Sequence, residues 1–216
     1  MGMSKVRLEK GFAVTVAREE IARCLGYGRG QIPPRVAAML DEIEESAPAL
    51  LEPACTYRMM TSDEYFHSHY VCHVGALVVC LVTIGPKLED AVGRHKDAGD
   101  LSLALILDSY GSAAAEAAAD AAEKIVSARV RESGLKCSPR FSPGYGGWNV
   151  AEQKWVFAAV SGEALGVRLT EGCMLVPRKS ITFAMTIGDQ PVDMRDADVC
   201  EYCGMVNCRF KHPEKP

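Results

Sequence analysis

The sequence predicts an α+β fold, and three observations predict it. Segments with helical spacing come first, and apolar β-branched runs follow. A long helix then separates these runs from a second set. That order is unlike the strict alternation of βαβ units. The most apolar run, "VGALVVCLVTIG" from Val74 to Gly85, is too short to span a bilayer and rich in β-branched residues, so it reads as a core strand.

The elements follow in order. "AREEIARCLGYG" (17–28) has apolar positions at helical spacing, ended by Gly26 and Gly28. A second helix starts at the proline pair of "QIPPRVAAMLDEIEESAPALL" and breaks near Pro48. "ACTYRMMTS" and "YVCHVGALVVCLVTIG" read as strands, the second buried on both faces in its later half. "PKLEDAVGRHKDAG" is a short helix opened by Pro86. From Asp100 a longer helix runs to its stop at Gly134. A loop around Arg140, a helix from about Ala151 to Leu165 and strands at "CMLVP" and "SITFAMTIG" complete a body of residues 1–188. Residues 189–216 form a polar, Cys-rich C-terminal tail. "VTIG" and "MTIG" are alike, but four residues are too few for a repeat.

Composition sets the class. At 48% hydrophobic and 24% charged residues, the 216-residue chain is that of an ordinary globular protein with a sizeable core. Its net charge of −4 argues against nucleic acid as a partner. The charged N-terminus lacks the apolar run of a secretion signal, and no stretch spans a membrane, so a cytoplasmic location is expected. Nine cysteines then fit a reducing compartment, six of them scattered in mostly apolar segments as small hydrophobes.

Three features carry chemistry. The long helix holds eight alanines among residues 113–122. Such a face suits close approach by another backbone or a flat ligand. Glu116, Asp120 and Glu123 form one acidic stripe on it. Either the stripe is a solvated face with an Asp120–Lys124 pair, or Glu116 awaits a cationic group. The second feature is "RFSPGYGGW" (140–148). Arg140 offers a planar fork of donors to a carboxylate, the glycines let a ligand reach bare backbone, and Tyr145 and Trp148 offer rings to stack on. An ordinary Pro-Gly turn reads equally well. The third is "CEYCGMVNCRFKH", where Cys200, Cys203, Cys208 and His212 suit a zinc ion or an iron–sulfur cluster. Cys137, Cys173 or a non-protein group is an alternative fourth ligand, and a metal-free tail is the plain alternative. His67, His69 and His73 would share one face if their segment were a strand, although no carboxylate partner is evident. The glycines of "LGYGRGQ" make a turn between helices, since no strand leads in and no Lys-Ser/Thr follows.

"RFSPGYG", its spacing from "LTEG" (169–172) and the upstream "LDSYGSAAAEAAAD" together resemble the activation domain of cobalamin-dependent methionine synthase. With "EEIARCLGYGRGQIPP" and "VTIGPKLED", the sequence looks closest to the shorter, free-standing relatives of that domain, over nearly the whole chain to Gly188. The resemblance implies a twisted antiparallel sheet with flanking helices and an S-adenosylmethionine groove on the surface. It also implies a role in reductive remethylation of cob(II)alamin. Arg140 and Glu116 would then orient the methionyl end, and Gly144 and Tyr145 would hold the nucleoside. The expected partners are a corrinoid-binding methyltransferase and an electron donor such as a flavodoxin or ferredoxin. The segment after "LTE" departs from the family, so no contacts carry over there. Modules for homocysteine, folate and cobalamin do not fit in 216 residues, so the corrinoid would sit on another protein. Two other classes compete: a partner-binding module stapled by metal, and a small iron–sulfur redox protein.

Overall fold

The computed structural model describes residues 5–28, 31–65, 68, 70, 71 and 74–194. Its centre is a five-stranded antiparallel sheet built from Arg7–Lys10 (β1), Ala54–Thr61 (β2), Ala76–Thr83 (β3), Lys136–Cys137 (β4) and a last long strand. Two short strands, Arg168–Leu169 (β5) and Leu175–Val176 (β6), pair with each other apart from it, so that last strand, Ser180–Gly188, is β7. The order in the sheet is β1-β2-β3-β7-β4, with the two most apolar strands, β3 and β7, side by side. Their register sets Val79 opposite Ala184 and Leu81 opposite Thr182.

Alternation along β3 explains its continuous apolar run. Val78, Cys80 and Val82 face one core, with Phe183, Met185 and Ile187 of β7. Leu77, Val79 and Leu81 face a second core on the opposite side, with Ala184. Both faces are therefore covered, which is unusual for an antiparallel sheet and needs helices on one side and other cover on the second. The helical side carries Arg18–Cys24 (α1) and Pro34–Ser46 (α2). After the four-residue helix Ser62–Tyr65 (α3) come Lys87–Asp97 (α4) and the long Leu101–Arg131 (α5). On the second side lie the Arg140 loop and Gln153–Ala159 (α6).

Helix α5 explains the alanines. Ala114, Ala118, Ala119 and Ala122 are fully buried in the first core. Their small side chains let the helix backbone approach its neighbours closely, so most of this face serves packing between elements. Gly111 serves the same end, because a Cβ there would sit 2.5 Å from a Leu88 methyl of α4. The helix ends where Gly134 takes φ +75°, a conformation that L side chains rarely adopt.

Four expectations shift. The strand expected from Tyr70 begins only at Ala76; Tyr70 and Val71 lie in a turn, and Val74 accordingly donates to Val71 O. His67, His69 and His73 lie outside the described residues. The helix expected over 151–165 is broken: α6 stops at Ala159, and Ser161 turns left-handed at φ 53° before a short 3₁₀ turn. "CMLVP" contributes only two residues to a hairpin, because Cys173 at φ 62° turns the chain just before it. Strands β1, β4 and β5 are too short to leave a periodic signal and are found only by their pairing. Met194 packs into the second core, and Thr186 Oγ1 donates to Val192 O at 2.7 Å, so the folded body runs through at least Met194.

Tyr65 is buried in the second core and donates to Val74 O at 2.6 Å. Burial pushes its phenol up to about 12. An unfolded tyrosine ionises near 10, so the unfolded chain loses its proton first as pH rises. Stability from the buried neutral phenol is therefore complete below pH ~10 and falls away between about pH 10 and 12. Denaturant melts across that window should show the wild-type midpoint dropping more steeply than that of Tyr65→Phe.

A candidate ligand site on helix α5

Arg140 leaves the second core side of the sheet edge just before Phe141, which exchanges backbone hydrogen bonds with Ala184 of β7. That tie holds the segment against the sheet and turns the Arg140 side chain toward α5. Its Nη2 donates to Glu116 at 2.9 Å, and its Nη1 donates to Glu123 at 3.0 Å and also to Asp120. The three carboxylates project along one helix face because they stand at i, i+4 and i+7. Burial by itself would lower the Arg140 pKa. The hydrogen bond to Asp120 and the three nearby negative charges outweigh that effect, leaving it above the ordinary value.

A guanidinium has five N–H donors, so the three carboxylates leave about two for a further acceptor. Among the described residues, none takes them. Glu116 remains more than half exposed at 57%, whereas Arg140 is 23% exposed. The site therefore presents a partly buried cation with spare donors beside an accessible anion. Such a pair suits the carboxylate and ammonium of an amino acid.

Two shallow grooves of about 370 and 330 Å³ run beside this row and share Asp120 and Lys124. The larger is floored by Ala117 and Ala121 and walled by Phe12, Ala13 and Thr15 of the N-terminal segment. Of the eight alanines among residues 113–122 these two are the ones not buried, so a flat ligand has room on this part of the alanine face.

The loop beyond Arg140 is a closed double turn. Gly144, at φ +92°, donates to Trp148 O at 2.7 Å, and Tyr145 N–H donates to Ser142 O. Both N–H groups are thus used within the loop, while the Gly144 carbonyl accepts no hydrogen bond from the described residues. The Tyr145 side chain is 65% exposed. Trp148 is not available for stacking on a ligand, because it is 1% exposed. It stacks on Tyr70 at 5.5 Å between ring centroids, tilts against Phe141 and Trp155, and donates its indole N–H to Glu152 at 2.6 Å. Trp155 and Ser68 donate to the same carboxylate. "RFSPGYGGW" is therefore a turn that lines neither groove: its tryptophan anchors it, its arginine faces α5 and its tyrosine faces out.

The sequence brought Arg140, Gly144 and Tyr145 together and left Glu116 on a distant helix; the structure joins Glu116 to Arg140. Asp120 turns to Arg140 and makes no ion pair with Lys124. Sequence reading missed Asp120 and Glu123 as partners of Arg140, although their spacing from Glu116 was the available signal. It also missed Lys179, only 8% exposed, whose ammonium donates to Ser112 at 2.8 Å and pairs with Asp108 at 3.0 Å, tying β7 to the first half of α5. Cys200, Cys203, Cys208 and His212 lie outside the described residues. Among those described, no group of three or more His, Cys, Asp or Glu is placed to hold a metal ion. Cys173 is buried and Cys137 half-buried in β4. No helix among the described residues is long and apolar enough to cross a membrane.

No family model matches the sequence, and no curated protein matches it. Among solved structures, the chain is similar to the MetH reactivation domain bound to AdoHcy, with a TM-score of 0.62. The match covers 94% of this chain and 87% of that one, at 14% identity. The fold is that of the MetH reactivation domain. The curled antiparallel sheet with its flanking helices, expected from the loop and the alanine-rich helix, is the architecture of that domain. At 14% identity the likeness resides in the backbone, and the side chains that make up the site of this reactivation-domain fold are its own.

Proposed function

We propose that this chain binds S-adenosylmethionine along α5 and the Arg140 loop and supports reductive remethylation of a corrinoid held by a partner methyltransferase. The observation that carries the reading is the meeting of Arg140 with Glu116 across 24 residues of sequence, on the fold of a domain solved with AdoHcy bound. In this reading the spare Arg140 donors take the methionyl carboxylate, and Glu116 takes the ammonium. Gly144 offers its carbonyl, and Tyr145 its ring, to the nucleoside. The chain supplies position alone, because the sulfonium methyl is already activated. One electron, from a donor such as a flavodoxin or ferredoxin, takes the partner's cob(II)alamin to cob(I)alamin. The cobalt then forms its bond to the methyl carbon while the C–S pair stays on sulfur, releasing AdoHcy. Within the same proposal Cys200, Cys203, Cys208 and His212 are metal ligands, which zinc and iron analysis of the purified protein addresses.

The test is calorimetric titration of the intact protein with S-adenosylmethionine, alone and with a candidate corrinoid protein present. Binding of one equivalent is expected. Absence of binding in both arms, checked by equilibrium dialysis, would overturn the reading.

A further inference from the structure

Strand β1 closes one end of the sheet. It pairs with β2 alone, and among the described residues nothing hydrogen-bonds the backbone groups of its outer edge. Such an edge is a template for a further strand, and charged side chains are the usual defence against it. The edge here reads Arg7-Leu8-Glu9-Lys10. Pairing with Tyr57 and Cys55 sets Arg7 and Glu9 on the face of the first core. Leu8, opposite Thr56, lies on the other face and is 47% exposed, an apolar side chain at the rim of the sheet. Neither Arg7 nor Glu9 makes an ion pair among the described residues; Arg129, within electrostatic reach of Glu9, pairs with Glu132.

We propose that β1 is a self-association edge, on which a second copy of this chain pairs β1 to β1, antiparallel, about a two-fold axis at Leu8. The charges select that register. A two-fold axis perpendicular to the sheet keeps every side chain on its own face, so only residues an even number of positions apart can oppose each other. Centring the pair on Arg7 would set two arginines face to face; Glu9 would oppose two carboxylates and Lys10 two ammonium groups. Leu8 is the one centre within the strand that opposes no like charges. It sets Arg7 of each copy opposite Glu9 of the other, so the complementary pair forms twice. It also sets Val6 opposite Lys10, whose stem is apolar. The two Leu8 side chains then cover each other at the axis. Beyond Lys10 the pairing stops, because Gly11 turns the chain at φ +69°. The two sheets become one, and the open edge of each copy is closed by the other.

The experiment is sedimentation equilibrium of the purified full chain, over a dilution series reaching the highest concentration that stays soluble. Wild type should approach twice the 23.4 kDa of one chain. Arg7→Glu sets like charges opposite at both symmetry-related positions and should weaken the dimer roughly tenfold or more, as should Glu9→Arg. The double variant Arg7→Glu/Glu9→Arg restores opposite charges in the same register and should dimerise like wild type. Leu8→Lys places two ammonium groups at the axis and should leave single chains. Circular dichroism melts confirm that each variant is folded. Wild type at the mass of one chain throughout would overturn the proposal. A dimer indifferent to both Arg7→Glu and Leu8→Lys would place the interface elsewhere and overturn it too. A double variant no tighter than the single ones would overturn the Leu8 register.

Discussion

Arg140→Ala is expected to weaken S-adenosylmethionine binding at least tenfold, about 1.4 kcal/mol. The arginine is the meeting point of the site: it is tied to the sheet edge through Phe141 and to α5 through Glu116, Asp120 and Glu123. Its removal takes away the donors for a ligand carboxylate. It also leaves three like charges facing one another at i, i+4 and i+7, each neighbouring pair destabilising the helix by a few tenths of a kcal/mol. The groove thus becomes a more negative surface, and a ligand carboxylate meets repulsion in place of a fork. Arg140→Lys separates the two effects. It restores the charge, and with it helix stability, without the planar two-point contact, so affinity should stay several-fold below wild type. Isothermal titration of both variants, beside urea melts, reads the two quantities independently. Wild-type affinity in Arg140→Ala would remove Arg140 from the site.

Trp148→Ala is expected to produce the largest loss of stability, about 3–5 kcal/mol, or on the order of 10 °C in melting temperature for a chain of this size. Trp148 fills the space between Tyr70, Phe141 and Trp155 in the second core, with its indole N–H on Glu152. Deleting it opens a cavity against the β3 face and leaves Glu152 one donor short. Because Gly144 N–H bonds to the carbonyl of this same residue, the double turn loses its side-chain anchor as well. Ligand affinity should therefore fall together with stability. Trp148→Phe keeps most of the ring contact but loses the N–H, and should cost about 1–3 kcal/mol. If Trp148→Ala melted like wild type, the second core would not depend on this loop. The distinction matters for function, since it makes the tryptophan a support for the site and not one of its contacts.

The sequence by itself determined the classes of element and the pieces of the site. The β-branched run of β3, the alanine-rich helix and the glycines after Arg140 are local signals, each set by steric preference within a few residues. They identified two core strands, the long helix and a loop that leaves helix and strand behind. Periodicity also marked Glu116, Asp120 and Glu123 as one face. It could not say what that face meets, because a helix stripe reads the same whether water or an arginine lies opposite.

Tertiary structure decided the rest. Sheet order placed β7 between β3 and β4, and the Phe141–Ala184 bridge then carried Arg140 across to α5. Arg140's contacts with α5 span 17, 20 and 24 residues, and their energy comes from packing that no local window contains. For the same reason Trp148 read as a ligand platform and is core, and Asp120 read as a partner of Lys124 and belongs to Arg140. Strands of two to four residues were likewise beyond any periodic signal, since they exist only through the neighbour that completes their hydrogen bonds. The residues of the site were written in the chain; their convergence exists only in the fold.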